Sequence, residues 1–297
     1  MPERLKARHL PARNSRERYR TWVQRLKEVD VPSVPVRELY MGEHWQVALS
    51  LAKVGEAAGL ALELWVVSAG YGLVHEGDLV KPYAATFTPG LPDSLIRPDH
   101  GGRRTSTSDW WAQLALWQGP TSGNPRTLSD LARRNPADYL VVALGSTYLE
   151  AVIDDVDAAR TLLTDPALLL VISAGTRPSN RLGSNLIPID SSHQQSLGGT
   201  RLSLNVRAAR WLVATSADHR FDHALVARKL AEVRTQSATA KTGRRMSDPE
   251  VSAYIRDQLN RQTKPSKTAL LRRLRDQGRA CEQARFARLF GEAASAQ

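Results

Sequence analysis

Residues 15–28 place Tyr19, Trp22, Val23 and Leu26 on one stripe with arginines around the rest, which predicts an amphipathic helix capped at Ser15. Prolines 32 and 35 exclude a helix from the following stretch, VDVPSVPVRELY, which reads as extended. The spacing of Trp45, Ala48, Leu49, Ala52 and Ala57 predicts a second helix over residues 43–59, closed by a glycine. The apolar run Leu64-Trp65-Val66-Val67, bounded by Ser68-Ala69-Gly70, has the length and flanks of a buried strand in a parallel sheet. Further buried strands are expected at 139–145, 168–175 and 186–190, with helices at 108–118 and 146–155. Strands alternating with helices of this length predict a three-layer α/β fold with four or five mainly parallel strands.

From about residue 216 the pattern changes. A charged helix over 218–234 runs into TQSATAKTGRRM, which lacks large apolar groups apart from Met246. A helix then begins at SDPE, with Ser247 or Asp248 as cap. Another is capped by Ser266 and closed by Gly278, and CEQARFARLF forms the last. Three short helices, basic on their exposed positions, have the look of a helix-turn-helix module. The expected organisation is a basic N-terminal helix and linker over 1–34, an α/β core over 35–216 and a basic helical module over 217–297.

Charge sharpens this division. The net charge is +11, with nine Lys/Arg against three Asp/Glu in residues 1–28, seventeen against nine in 217–297, and fifteen against eighteen between them. Basic flanks around a mildly acidic core suggest that the flanks hold a polyanion, with DNA the expected partner. Arg272 and Arg273 in the C-terminal module are candidate phosphate contacts. So are Arg103 and Arg104, in the irregular stretch 88–108, which would suit a flap over the backbone. One cysteine, Cys281, gives no disulfide framework or multi-cysteine zinc site, and it reads as a packing group. No apolar run approaches the ~20 residues of a membrane helix. The cell interior is the expected compartment, with no membrane partner.

Familiar catalytic signatures are missing: there is no GxxxxGK[ST], GxSxG or HExxH. What remains is three polar loops at strand ends, where open α/β sheets bind ligands. The first, 68–86, carries Ser68, Tyr71, His75, Glu76, Asp78, Lys81, Tyr83 and Thr86. The second, 173–181, offers backbone amides and Arg177 to a phosphate. In the third, 190–205, Gly198-Gly199-Thr200 opens a helix and exposes backbone N–H groups to an anion. There Asp190 and His193 could activate a water or shuttle a proton. The other reading is that Asp190 or Ser192 caps a turn and His193 is only solvated.

The pieces PVRELYMGEHW, VVSAGYGLVHEGDLVKPYAATF and IPIDSSHQQSLGGTRLSLNVRAARWLV resemble a bacterial family with an SAxYGL turn followed by a proline-tyrosine pair and a threonine. That family is related to peroxide-stress and archaeosine-synthase-type domains and occurs with DNA-modification and anti-phage genes. More loosely, the chain is similar to anti-phage DNA glycosylases that remove glucosylated hydroxymethylcytosine. The cysteine-glycine-lysine strand motif of many relatives is missing here. The resemblance implies hydrolysis of the N-glycosidic bond of a modified base, with no metal or other cofactor. Such a reaction needs a pocket for an extruded base, an aromatic to stack on it, and a carboxylate near the sugar. Tyr71 and Tyr83 are the stacking candidates, and Asp78, Asp190 and Glu76 the carboxylates. Ser68, His193, Gln195 and Asn205 would read the substrate, and Arg177 and Arg201 would hold phosphates. Glycines 70, 72 and 77 would leave room for a bulky substituent. A non-catalytic sensor of modified DNA and a base-exchange enzyme are the alternatives.

Overall fold

The computed structural model describes residues 1–11, 14–96, 106–174, 181–215, 221, 223–232, 244–261 and 266–295. Arg103, Arg104 and Arg177 lie outside them, as do residues 97–105 of the stretch expected to form a flap. The chain divides into two compact units, Met1–Thr235 and Gln236–Gln297.

In the first unit, helix α1 (Ser15–Glu28) is capped by Asn14, whose side chain accepts from Glu17 N, one residue earlier than the expected Ser15. A two-residue strand β1 (Val34–Pro35) and a single turn α2 (Val36–Leu39) lead to helix α3 (Glu43–Ala57). Strands β2 (Trp65–Ser68), β3 (Gly72–His75) and β4 (Leu79–Val80) follow, then helices α4 (Thr107–Ala115) and α5 (Leu128–Arg134). Next come β5 (Leu140–Gly145), α6 (Ser146–Leu162), β6 (Leu169–Ala174) and β7 (Leu186–Ile189). The unit ends with the turn α7 (Gln194–Leu197) and helices α8 (Leu204–Thr215) and α9 (His223–Glu232).

Strands β5, β6 and β7 form a parallel sheet in that order. Side chains of β6 alternate between two apolar clusters: Leu169 and Val171 pack with Val152 and Val156 of α6, and Leu170 and Ile172 with Leu204, Ala208 and Leu212 of α8. The sheet therefore carries a helix on each face, as a continuous apolar strand buried on both sides requires. The fold is α/β, but among the described residues its parallel sheet has three strands rather than four or five.

The difference lies at residues 64–67. Strand β2 does not join the parallel sheet; it pairs antiparallel with β3, from Trp65 opposite His75 to Ser68 opposite Gly72. Its parallel placement would need a crossover of a dozen or more residues. Instead the tight turn 69–71 returns the chain at once. The charged helix near 218–234 also departs from expectation. Val226 and Leu230 of α9 pack into the cluster around Ile172 and Ile187, and His223 bridges the carbonyls of Ala167 and Ser184, each at 3.0 Å. That apolar face places α9 with the α/β unit, so the division falls at residue 235 instead of 216.

The second unit holds a two-residue strand β8 (Arg244–Arg245), helices α10 (Asp248–Arg261) and α11 (Lys267–Asp276), strand β9 (Arg279–Ala280) and helix α12 (Gln283–Ser295). Strands β8 and β9 pair in parallel. The helices close over Val251, Ile255, Leu270, Leu274, Phe286 and Leu289, and Cys281 is buried among them. Glu250 accepts from Ser247 N at 2.7 Å and Ser247 Oγ at 2.9 Å, a carboxylate cap on the first turn of α10. Among the described residues, no helix is long and apolar enough to cross a membrane.

Candidate functional site

The SAGYGL turn is built from contacts far away in sequence. Ser68 Oγ accepts from Gly70 N at 3.2 Å and Tyr71 N at 3.0 Å, which folds the turn on its own side chain. The buried carbonyls of the turn are then taken one by one. Trp110 Nε1 donates to Ala69 O at 3.0 Å and Trp22 Nε1 to Gly70 O at 2.7 Å. The buried guanidinium of Arg126 donates to Tyr71 O, to Leu73 O at 2.6 Å and to Trp117 O at 3.0 Å. Burial lowers the Arg126 pKa, with Asp78 and then other nearby groups opposing.

This crowding overturns the expectation of a roomy pocket at the glycines. A Cβ on Gly70 would overlap the Tyr83 ring. Gly72 has φ +77°, and its Cβ would sit 2.9 Å from Arg126 Nη2. Gly77 backs onto the His75 ring at 3.3 Å. The glycines are there for close approach and, at residue 72, for a left-handed turn. Tyr71 is buried at 3% exposure, with its hydroxyl between Lys81 N (2.9 Å) and Lys81 O (3.3 Å). It has no free face for stacking, so that assignment is corrected to a core role.

Tyr83 is different. It is only half-buried, and its hydroxyl lies 2.6 Å from Ser68 Oγ and 2.7 Å from the hydroxyl of Tyr40. Its ring meets Trp22, Tyr40 and Tyr71 edge-on. Burial, first, and the neighbouring Tyr40 push the Tyr83 pKa well above its usual value. Tyr40 is raised as well, again chiefly by burial. These hydroxyls stay protonated, able to donate and accept but not to act as phenolate bases. Tyr148, in the first turn of α6, lies 3.3 Å from Thr86 Oγ1 and influences both tyrosines electrostatically.

Tyr40 lies three residues before the start of α3, and its ring packs edge-on against Trp45. In the first turn of α3, His44 pairs with the buried Asn205 of α8; surrounding desolvation lowers the imidazole pKa and the Asn205 hydrogen bond partly restores it. Glu43 beside it reaches across to the start of α8. Its Oε1 accepts from Arg207 Nη2 (2.7 Å), Ser203 Oγ (3.1 Å) and Thr200 N (3.3 Å), and these partners, Arg207 foremost, hold the Glu43 pKa below its usual value. The anion site expected after Gly198-Gly199 therefore exists, but the protein's own carboxylate fills it.

The expected carboxylates separate by environment. Asp78, 6% exposed, accepts from His75 N (2.8 Å), Thr121 Oγ1 (2.7 Å) and Asn124 Nδ2 (2.8 Å). That saturation makes it a clamp between two loops and corrects its assignment as a catalytic carboxylate. Glu76 keeps partial exposure, 3.9 Å from the Arg37 guanidinium. Asp190, at the end of β7, caps the turn at 191–193, accepting from Ser192 N at 2.8 Å, while its side chain remains 50% exposed. His193 is buried, with Nδ1 3.2 Å from Asp190 N. It completes the cap, so neither a solvated ring nor a proton shuttle describes it. Gln195 and Arg201 are exposed on the same loop, and Arg272 and Arg273 on α11.

Sequence reasoning missed Tyr40, His44, Tyr148, Glu43 and Arg126. The quoted PVRELYMGEHW contained the first two and Glu43, but no local pattern links them to Tyr83 or Asn205. Among the described residues, no group of three His, Cys, Asp or Glu could hold a metal ion. No protein-family model, curated protein or solved structure matches the chain.

Proposed function

We propose that this chain is a DNA N-glycosylase that hydrolyses the bond between deoxyribose and a modified base in phage DNA, leaving an abasic site. The observation that carries this reading is the linked hydroxyl trio Ser68–Tyr83–Tyr40, whose Tyr40 lies four residues before His44, the partner of Asn205. Neutral hydroxyls at fixed positions suit a base with many polar edges, such as a glucosylated hydroxymethylcytosine, because each both donates and accepts. His44, held towards its neutral form, adds an acceptor. Asp190, solvent-reaching at a strand end, is the carboxylate that would activate water or stabilise the positive charge developing on the sugar. Exposed Gln195 and Arg201 on the same loop would meet the backbone. In this reading the α/β unit is of DNA-glycosylase type and the basic unit holds the duplex.

The test is incubation with duplexes carrying cytosine, hydroxymethylcytosine or its glucosylated form, followed by alkali. The reading expects strand breaks at the modified position only, and no breaks in any duplex would overturn it. The sensor alternative has one observation in its favour: Asp78 and Glu43 are both engaged in structural hydrogen bonds. Tight, modification-dependent binding without breaks would select it.

A further inference from the structure

We propose that the second unit holds the phosphodiester backbone of duplex DNA in the hollow beside β8 and β9, through Arg245 and Arg279, and not on the exposed side of α11. The hollow has a volume of about 600 Å³ and is lined by Arg245, Arg275, Arg279 and Arg285 together with Asp276 and Glu282. Two of its arginines are committed. Arg285 Nε donates to Asp248 at 2.5 Å, and Arg275 Nη2 to Cys281 O at 3.2 Å. Arg245 and Arg279 are exposed and make no ion pair among the described residues.

The pairing of the strands explains why this matters. Arg244 lies opposite Arg279 and Arg245 opposite Ala280, so three arginines crowd one short parallel pair. Like charges on adjacent strands oppose pairing unless an anion offsets them. Arg244 has Glu250, at 2.6 Å, and the other two have none. Backbone phosphates entering the hollow, which both side chains line, would supply the missing partners through the guanidinium forks. A concave basic surface also concentrates its field more than the convex side of α11 that carries Arg272 and Arg273. The carboxylates of Asp276 and Glu282 favour a singly charged diester over a free phosphate dianion. Charge distribution points the same way: residues 236–297 contain thirteen Lys/Arg and six Asp/Glu, most of the chain's net +11.

The inference rests on the DNA reading for the identity of the polyanion but not on base excision. Duplex binding by the full-length chain, followed by fluorescence anisotropy across a salt series, tests it. Arg245→Ala with Arg279→Ala should weaken binding by about ten- to a hundredfold and reduce the slope of log affinity against log salt by about 2. Arg272→Ala with Arg273→Ala should change affinity by less than about threefold. All four side chains are exposed, so thermal melts should match the wild type. Unchanged binding in the first double variant, an equal loss in the second, or no duplex binding by the wild type would each overturn the assignment. Displacement of the duplex by inorganic phosphate beyond that by chloride at equal ionic strength would assign the hollow to free phosphate instead. Base release by the wild type is a separate readout and bears on the glycosylase reading alone.

Discussion

At the scale of single residues, hydroxyl and carboxylate side chains divide between holding the fold and facing a substrate. Tyr83→Phe separates the two roles for the trio, since it keeps the ring between Trp22 and Tyr71 and removes only the oxygen bonded to Ser68 and Tyr40. It should lower the rate of base release by about ten- to a hundredfold and cost no more than about 1.5 kcal/mol of stability by denaturant melt. Asp78→Ala should do the reverse in emphasis. Three donors lose a buried acceptor, so the protein should lose about 3 kcal/mol or more in the same melt. If Asp78→Ala melts like the wild type, the clamp is wrongly described. Residue types in the turn were legible in the sequence; their duties were not. Gly70 and Gly72 read as pocket-forming because their neighbours in space, Tyr83 and Arg126, are distant in the chain. Nothing local marks Arg126 as buried among carbonyls.

Helices were the most legible elements, because an apolar stripe announces both the helix and its buried face. Helix α3 emerged close to its expected bounds, and β5, β6 and β7 fell where apolar runs placed them. The run at β2 was recognised as a strand but given the wrong partner. Its direction of pairing is decided by the turn after it, which Trp22 and Trp110 hold from 48 and 41 residues away. Two helix starts carry a test by pH. Arg207 and the start of α8 keep Glu43 ionised below its usual range, and Ser247 and Arg244 lower the Glu250 pKa from 4.5 to about 2. A lowered carboxylate pKa adds stability that is complete above the unfolded value and fades as pH falls through the folded one. The Glu250 contribution should therefore be intact at pH 6 and decline between pH 4.5 and about 2. Melts of Glu250→Gln and wild type should converge at the acid end of that window. An equal difference between them throughout it would contradict the cap.

At the scale of the whole molecule, the chain joins a nearly balanced α/β unit to a strongly basic helical one. The basic flank was legible as composition, while the assignment of α9 to the first unit depended on packing by Val226 and Leu230 that charge counting ignores. Removing residues 236–297 should leave the first unit's melt largely unchanged and weaken duplex binding on every sequence alike, since phosphate contacts carry no sequence information. Binding that keeps its strength after that truncation would remove the second unit from the account. The central claim is chemical, and mass spectrometry of the products tests it most directly. With duplex containing glucosylated hydroxymethylcytosine, the wild type should yield the free modified base and DNA lighter by the mass of that base less one water, with Asp190→Asn yielding neither. DNA of unchanged mass after incubation with the wild type on every modified duplex would contradict it.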